Sequence, residues 1–224
     1  MVQGNLQKTA VATADPDVVV VVSKGHYAKA SGVNTGAVGI DGFSEFDLVG
    51  AVGDALMENL ARLSIAATVA PRAHIPARFR YVAEVMARYP GPPPRRVAFV
   101  DIHANDWDTG EPRGTETFVV SPESKSAPLA TLLHHNLLEG FRALDSTWKD
   151  RGIKYAHYMV FDKATALLSG VKPRDFNERY FCTLVELGFI SNETDARVLA
   201  HPAGVLAAGR ALAEGIREWL NLNV

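Results

Sequence analysis

Five valines in succession, Val18 to Val22, stand with no polar residue between them. A strand that alternates apolar and polar residues shows one face to water, whereas an unbroken run reads as a strand covered on both faces. Two further strand-like runs follow, Val97 to Ile102 and a third core strand at about Phe181 to Leu187. Elsewhere the apolar spacing lengthens to that of a helix. Ser44 is an N-cap residue with Asp47 three positions on, and Val49, Val52, Leu56, Leu60 and Leu63 then recur every three or four residues, with Asp54, Glu58 and Arg62 on the opposite face. A weaker helix is predicted over Ala77 to Tyr89. A longer one, capped by Ser126, runs to Leu144 with Leu129, Leu132, Leu133, Leu137 and Phe141 on its apolar side. The stretch "YAHYMVF" reads as a strand with His157 in its middle. The last helix, about Ala203 to Leu220, places Leu212, Ile216 and Leu220 four apart.

Strands alternating with helices predict an α/β fold, a three-layer α/β/α sandwich whose mostly parallel, mixed central sheet is flanked by helices. The proline-rich stretch Tyr89 to Arg96 breaks a helix. It reads as a surface loop, because the strand after it has to join the same sheet. One domain over residues 1–224 is expected, with residues 1–17 as an N-terminal extension and no separate wall-binding module.

Composition narrows the function. A net charge of -2 and a pI near 6.4 provide no field for capturing nucleic acid or an anionic membrane, so recognition has to be local. The single cysteine, Cys182, excludes an intramolecular disulfide and a cysteine zinc site, and its apolar neighbours predict buried packing. The N-terminus has neither the basic start nor the apolar stretch of a signal peptide, and no apolar run reaches membrane-spanning length. A cytoplasmically made monomer that does not insert into membranes is the expectation.

The three strand-like runs end on residues that bind, or work beside, a divalent metal: His26, His103 and Glu186. In open α/β sheets ligands sit outside the carboxyl ends of the strands, so these residues are expected in one crevice. Glu45 opens the helix after the first strand, where the macrodipole favours a carboxylate. A hydrolytic zinc site has three protein ligands and one open position, and His26, Glu45 and His103 supply that set. Glu186, in apolar surroundings that penalise an idle charge, is then left to act as general base. His134 and His135 are about 100° apart on a helix and unsuited to sharing a metal. His74 and His157 are weaker candidates for the crevice, and His201 before Pro202 reads as a turn residue.

Several stretches together resemble one family. They are Gly25 and His26 after the first strand, "NTGAVGIDGFSE" leading into Glu45, "FVDIHAND" around His103, "GTETF" from Gly114, "RGIKYA", and "LVELGFISNETD" around Glu186. From about Val18 to Leu220 the chain is similar to the zinc-dependent N-acetylmuramoyl-L-alanine amidases of phage endolysins and bacterial autolysins. The resemblance implies Zn²⁺ held by His26, Glu45 and His103, with Glu186 as catalytic acid/base. It also implies hydrolysis of the amide between N-acetylmuramic acid and L-alanine in bacterial peptidoglycan, at the cell wall or in the periplasm; the expected lack of a signal peptide and of a wall-binding module makes a phage endolysin the preferred context, with an autolysin as the alternative.

The chain departs from that family after His26, where Tyr27, Ala28 and Lys29 replace the usual glycines and the loop to Glu45 is a few residues longer. Tyr27 is therefore a candidate for stacking on a sugar. Trp107, in the loop "ANDWDTGEPRGTE", is expected to be exposed and to contact glycan or peptide, while Asn105 and Thr115 either hydrogen-bond substrate or fix the loop. The alternatives are a zinc peptidase cutting within the stem peptide and a non-catalytic peptidoglycan-binding relative.

Overall fold

In the computed structural model the valine run forms β1 (Val18–Lys24), and its two faces feed two separate cores. Val18, Val20 and Val22 pack against Val49, Val52 and Leu56 of α1 (Glu45–Arg62), Leu133 and Leu137 of α3 (Ala127–Arg142), and Leu212 and Ile216 of α7 (Pro202–Leu222). Val19 and Val21 face the other way, onto Phe79, Val82 and Met86 of α2 (Ile75–Arg88) and Ala166 of α4 (Lys163–Leu168). The structure describes residues 17–89 and 95–222. Most of the expected N-terminal extension and the prolines of the 89–96 loop lie outside the described residues.

The remaining strands are β2 (Ala67–Val69), β3 (Arg96–Asn105), β4 (Thr115–Val119), β5 (Asp150–Tyr155) and β6 (Tyr180–Phe189), with short helices α5 (Pro173–Arg179) and α6 (Glu193–Ala200). They form one sheet in the order β2-β1-β3-β6-β4-β5. The four strands from β2 to β6 are parallel, and β4 meets β6 antiparallel while pairing parallel with β5. The chain leaves β1 for β2 on one side and returns to β3 on the other. That reversal opens a crevice outside the carboxyl ends of β1 and β3. No helix of the described residues is long and apolar enough to cross a membrane.

The expected three-layer architecture is present, with differences in detail. The segment 155–161 is not a strand. Only Tyr155 pairs in the sheet, at the end of β5, and Met159–Phe161 forms a single 3-10 turn whose Val160 and Phe161 are buried over the second core. Pairing with β4 rather than apolarity defines this edge strand, so the polar sequence "DRGIKY" occupies it and His157 falls in the following loop. Ser44 does cap α1, accepting from the Asp47 N–H. Ser126 occupies the N-cap position of α3 without a side-chain capping bond, its hydroxyl instead accepting from the Cys182 N–H at 2.9 Å and so joining the start of the helix to β6. Cys182 itself is buried.

Trp148 closes the corner between α3 and β5. Its ring stacks on Phe141 at 4.5 Å, and its Nε1–H donates to Thr115 Oγ1 at 2.9 Å. Replacing Trp148 with Ala should destabilise the protein by about 3–5 kcal/mol, and Trp148→Phe by clearly less, because the ring contact survives. Urea unfolding followed by circular dichroism checks this.

Candidate metal centre

His26 lies two residues beyond β1 with φ 61°, in the left-handed region that non-glycine residues seldom adopt. Two glycines make room for the two histidine rings. A Cβ on Gly36, itself at φ +110°, would lie 2.9 Å from the His26 ring, and one on Gly25 would lie 2.5 Å from the Ile102 carbonyl oxygen and 2.7 Å from the His103 ring. Glu45 opens α1 and is 4% exposed. One of its oxygens accepts from the Ala104 N–H at 3.0 Å and faces His103 Nδ1 at 3.1 Å. The other accepts from the Ala37 N–H at 3.0 Å and faces His26 Nε2 at 2.9 Å. The two ring nitrogens are 3.2 Å apart. One ligand atom from each of His26, Glu45 and His103 falls within 4.8 Å of the others.

The electrostatics of this cluster favour a cation. Burial alone would make Glu45 a weaker acid, but the bonds from His103, His26 and the Ala37 N–H outweigh it and hold the carboxyl well below its usual range. Burial likewise works against a charged His103, yet the charge and contact of Asp101 and the Glu45 bond push it up to about 10. Imidazole and carboxylate donors with one side open are the ligand types zinc takes in hydrolases. His103 also has outer support of the sort that fixes a metal-ligating imidazole, since its Nε2 lies 3.4 Å from Asp101 Oδ2. Asp101 is fully buried. Burial is outweighed there by His103, Arg78 and the Ser23 hydroxyl, so its carboxyl stays below the ordinary range.

Glu186 is the cross-strand partner of His103 on one side and of Glu116 on the other. Its Oε2 is buried with no hydrogen-bond partner among the described residues. Burial pushes its carboxyl up to about 8; the His103 charge opposes this, and Glu45, Glu116 and Asp101 reinforce it. Glu116, by contrast, is fully engaged, accepting from Asn105 Nδ2 and from Arg151 Nε, both at 2.8 Å.

The expected substrate contacts separate into two groups. Trp107 is 58% exposed on its loop, and Tyr27 and Asn105 are partly buried. Thr115 is completely buried, donating to the Leu187 carbonyl and accepting from Trp148, so it fixes the loop and does not face substrate. His134 is buried between Thr117 and Asp150, His135 is exposed, and His74 and His201 sit at exposed helix ends. Asp101, Glu116 and Arg78 were not singled out from the sequence. Their signal was present: Asp101 interrupts an apolar strand two residues before His103, and Arg78 occupies a core-facing phase of α2 between Ile75 and Phe79.

Known proteins share this architecture. Residues 20–218 match the family model of N-acetylmuramoyl-L-alanine amidase. Among solved structures the chain is similar to the N-acetylmuramoyl-L-alanine amidase AmiC2 of Nostoc punctiforme, with 23% identity and a TM-score of 0.70 over 92% of this chain and 98% of that one. It is similar to the catalytic domain of the amidase CwlV from Bacillus (Paenibacillus) polymyxa var. colistinus, with 24% identity and a TM-score of 0.68 over 91% and 98%. The catalytic domain of the CD27L endolysin targeting Clostridia difficile aligns with 20% identity and a TM-score of 0.59 over 90% and 97%. No curated protein matches the chain. The structural likenesses establish the fold, and the family match across nearly all the described residues establishes that the chain belongs to the N-acetylmuramoyl-L-alanine amidase family.

Proposed function

We propose that His26, Glu45 and His103 hold a zinc ion and that Glu186 is the acid/base of amide hydrolysis between N-acetylmuramic acid and L-alanine in peptidoglycan. One observation carries the reading: the unpartnered Glu186 oxygen lies one strand away from three convergent ligand side chains. The bound ion supplies Lewis acidity toward a carbonyl and makes water easier to deprotonate. Glu186 takes the proton from the attacking water. As the carbon–nitrogen bond breaks, it returns that proton to the amine of L-alanine, and its raised affinity for protons suits both transfers. Glu45 stays ionised throughout, held by two backbone N–H groups. Trp107, Tyr27 and Asn105 are assigned to substrate contact, Trp107 first, because it offers the largest free surface.

An endolysin role is our reading of the biological setting. It is supported by likeness to an endolysin catalytic domain, while likeness to bacterial amidases supports the autolysin alternative. Lysis of permeabilised cells within minutes of adding the protein would favour the former, and its absence the latter.

Purified protein incubated with peptidoglycan should release stem peptides that begin with L-alanine, detected by mass spectrometry. A chelator should stop the release and added zinc restore it. Glu186→Ala should retain zinc yet lose at least about 100-fold in kcat. Internally cut stems would instead identify a peptidase, and zinc binding without any release would identify a wall-binding relative.

Zinc affinity should depend on pH with a definite sign. In the metal-free protein His103 keeps its proton up to about pH 10, and a metal has to displace it. Apparent affinity should therefore rise about tenfold per pH unit from pH 6 to 8. Competition titrations at each pH, with proton release read by calorimetry in two buffers, test the slope.

A further inference from the structure

Arg78 is a charged side chain placed in the core of the molecule. It occupies a core-facing position on α2 and is 4% exposed. Each of its three nitrogens has an acceptor. Nε donates to the Ala73 carbonyl at 2.8 Å. Nη1 donates to Asp101 Oδ1 at 3.0 Å and Ser23 Oγ at 2.9 Å. Nη2 donates to the His26 carbonyl at 3.1 Å. Asp101 turns its other oxygen toward His103 Nε2, and the Ser23 hydroxyl donates to Asp101 Oδ1. A single guanidinium thus grips the backbone of one histidine and the carboxylate that supports the other.

Stability alone does not account for this arrangement. A buried ion pair is on average no better for folding than apolar side chains of similar volume, because desolvation offsets the attraction. The use made of the pair here is directional. His26 stands in the left-handed region at φ 61° and needs an external restraint, which its own carbonyl receives from Nη2. His103 needs its ring turned so that Nδ1 meets Glu45, and a buried carboxylate held on its other side does that. Only a planar fork with several fixed donors serves both requirements at once, which distinguishes arginine from lysine at this position.

We infer that Arg78 is a positioning residue of the metal centre, setting His26 through its carbonyl and His103 through Asp101. The inference rests on the reading of His26, Glu45 and His103 as zinc ligands.

Two variants test it. Arg78→Lys keeps the charge but loses the fork. The double variant Arg78→Met with Asp101→Asn removes both charges and leaves neither partner buried alone, so it should fold with a melting temperature near that of the wild type. Zinc affinity is measured by chelator competition on protein shown to be folded by circular dichroism, and cobalt-substituted samples report ligand geometry in their visible absorption. Both variants should bind zinc about 10- to 100-fold more weakly than wild type and shift the cobalt bands, with kcat reduced and KM little changed. Folded variants that bind zinc within about threefold of wild type, with an unchanged cobalt spectrum, would overturn the inference and leave the metal centre itself intact. Wild-type protein that binds no zinc would overturn the metal reading, and this inference with it.

Discussion

Charge placed at the end of an apolar sheet is the constraint around which the rest of this molecule is arranged. β1, β3 and β6 are buried on both faces almost to their carboxyl ends, and the same ends carry carboxylates and imidazoles. Each buried acid there has to be compensated or it would drive unfolding or neutralise. Glu45 is met by two backbone N–H groups and two histidines, Asp101 by Ser23 and Arg78, and Glu116 by Asn105 and Arg151. Among the acids of the described residues, Glu186 alone keeps a buried oxygen without a partner. Where every neighbouring acid is satisfied, the exception is the group to which we assign the proton transfers.

The topology explains why these groups meet. Because β1 and β3 are adjacent and parallel, His26 and His103 emerge side by side, and the register of β3 on β6 sets Glu186 directly beside His103. Glu45 comes from a helix, and the loop before it has to fold back to bring it in. Backbone bonds between Lys29 and Val33, between Tyr27 and Thr35, and between Gly39 and Phe43 shape residues 27–44 into small turns, and the Glu45 N–H donates to the Ala37 carbonyl. Residues 27–44 are therefore taken up as local structure beside the candidate centre, with Val33 and Val38 exposed.

Much of this was legible in the sequence, and what was not has a common cause. The valine run, the apolar period of α1 and the strand-end histidines follow from burial pattern alone, and burial pattern is local. β2 is three residues long, and β5 is a polar edge strand, so partner strands define them more than their own composition does. Thr115 could be read either as a substrate contact or as a residue that fixes the loop, because nothing in "GTETF" shows that β6 and Trp148 close over it. Asp101 and Arg78 appeared in the sequence as charges in apolar phase. A pattern can register such a conflict, but only the fold shows that the two conflicts resolve each other.

The crevice wall follows the same logic of shared support. The loop after β3 is pinned by the segment that follows β6: Ser191 accepts from the Trp107 N–H, Asn192 donates to the Gly110 carbonyl, and fully buried Asp195 accepts from Gly114, Phe189 and Arg113. Trp107 is thereby an exposed ring on a backbone already held in place, so a contact to it carries little ordering penalty. The same few residues that fix this loop also continue the strand bearing Glu186. Displacement of one would be felt by the other. The proposed acid and the proposed platform for substrate are therefore tied to each other through one hydrogen-bonded segment.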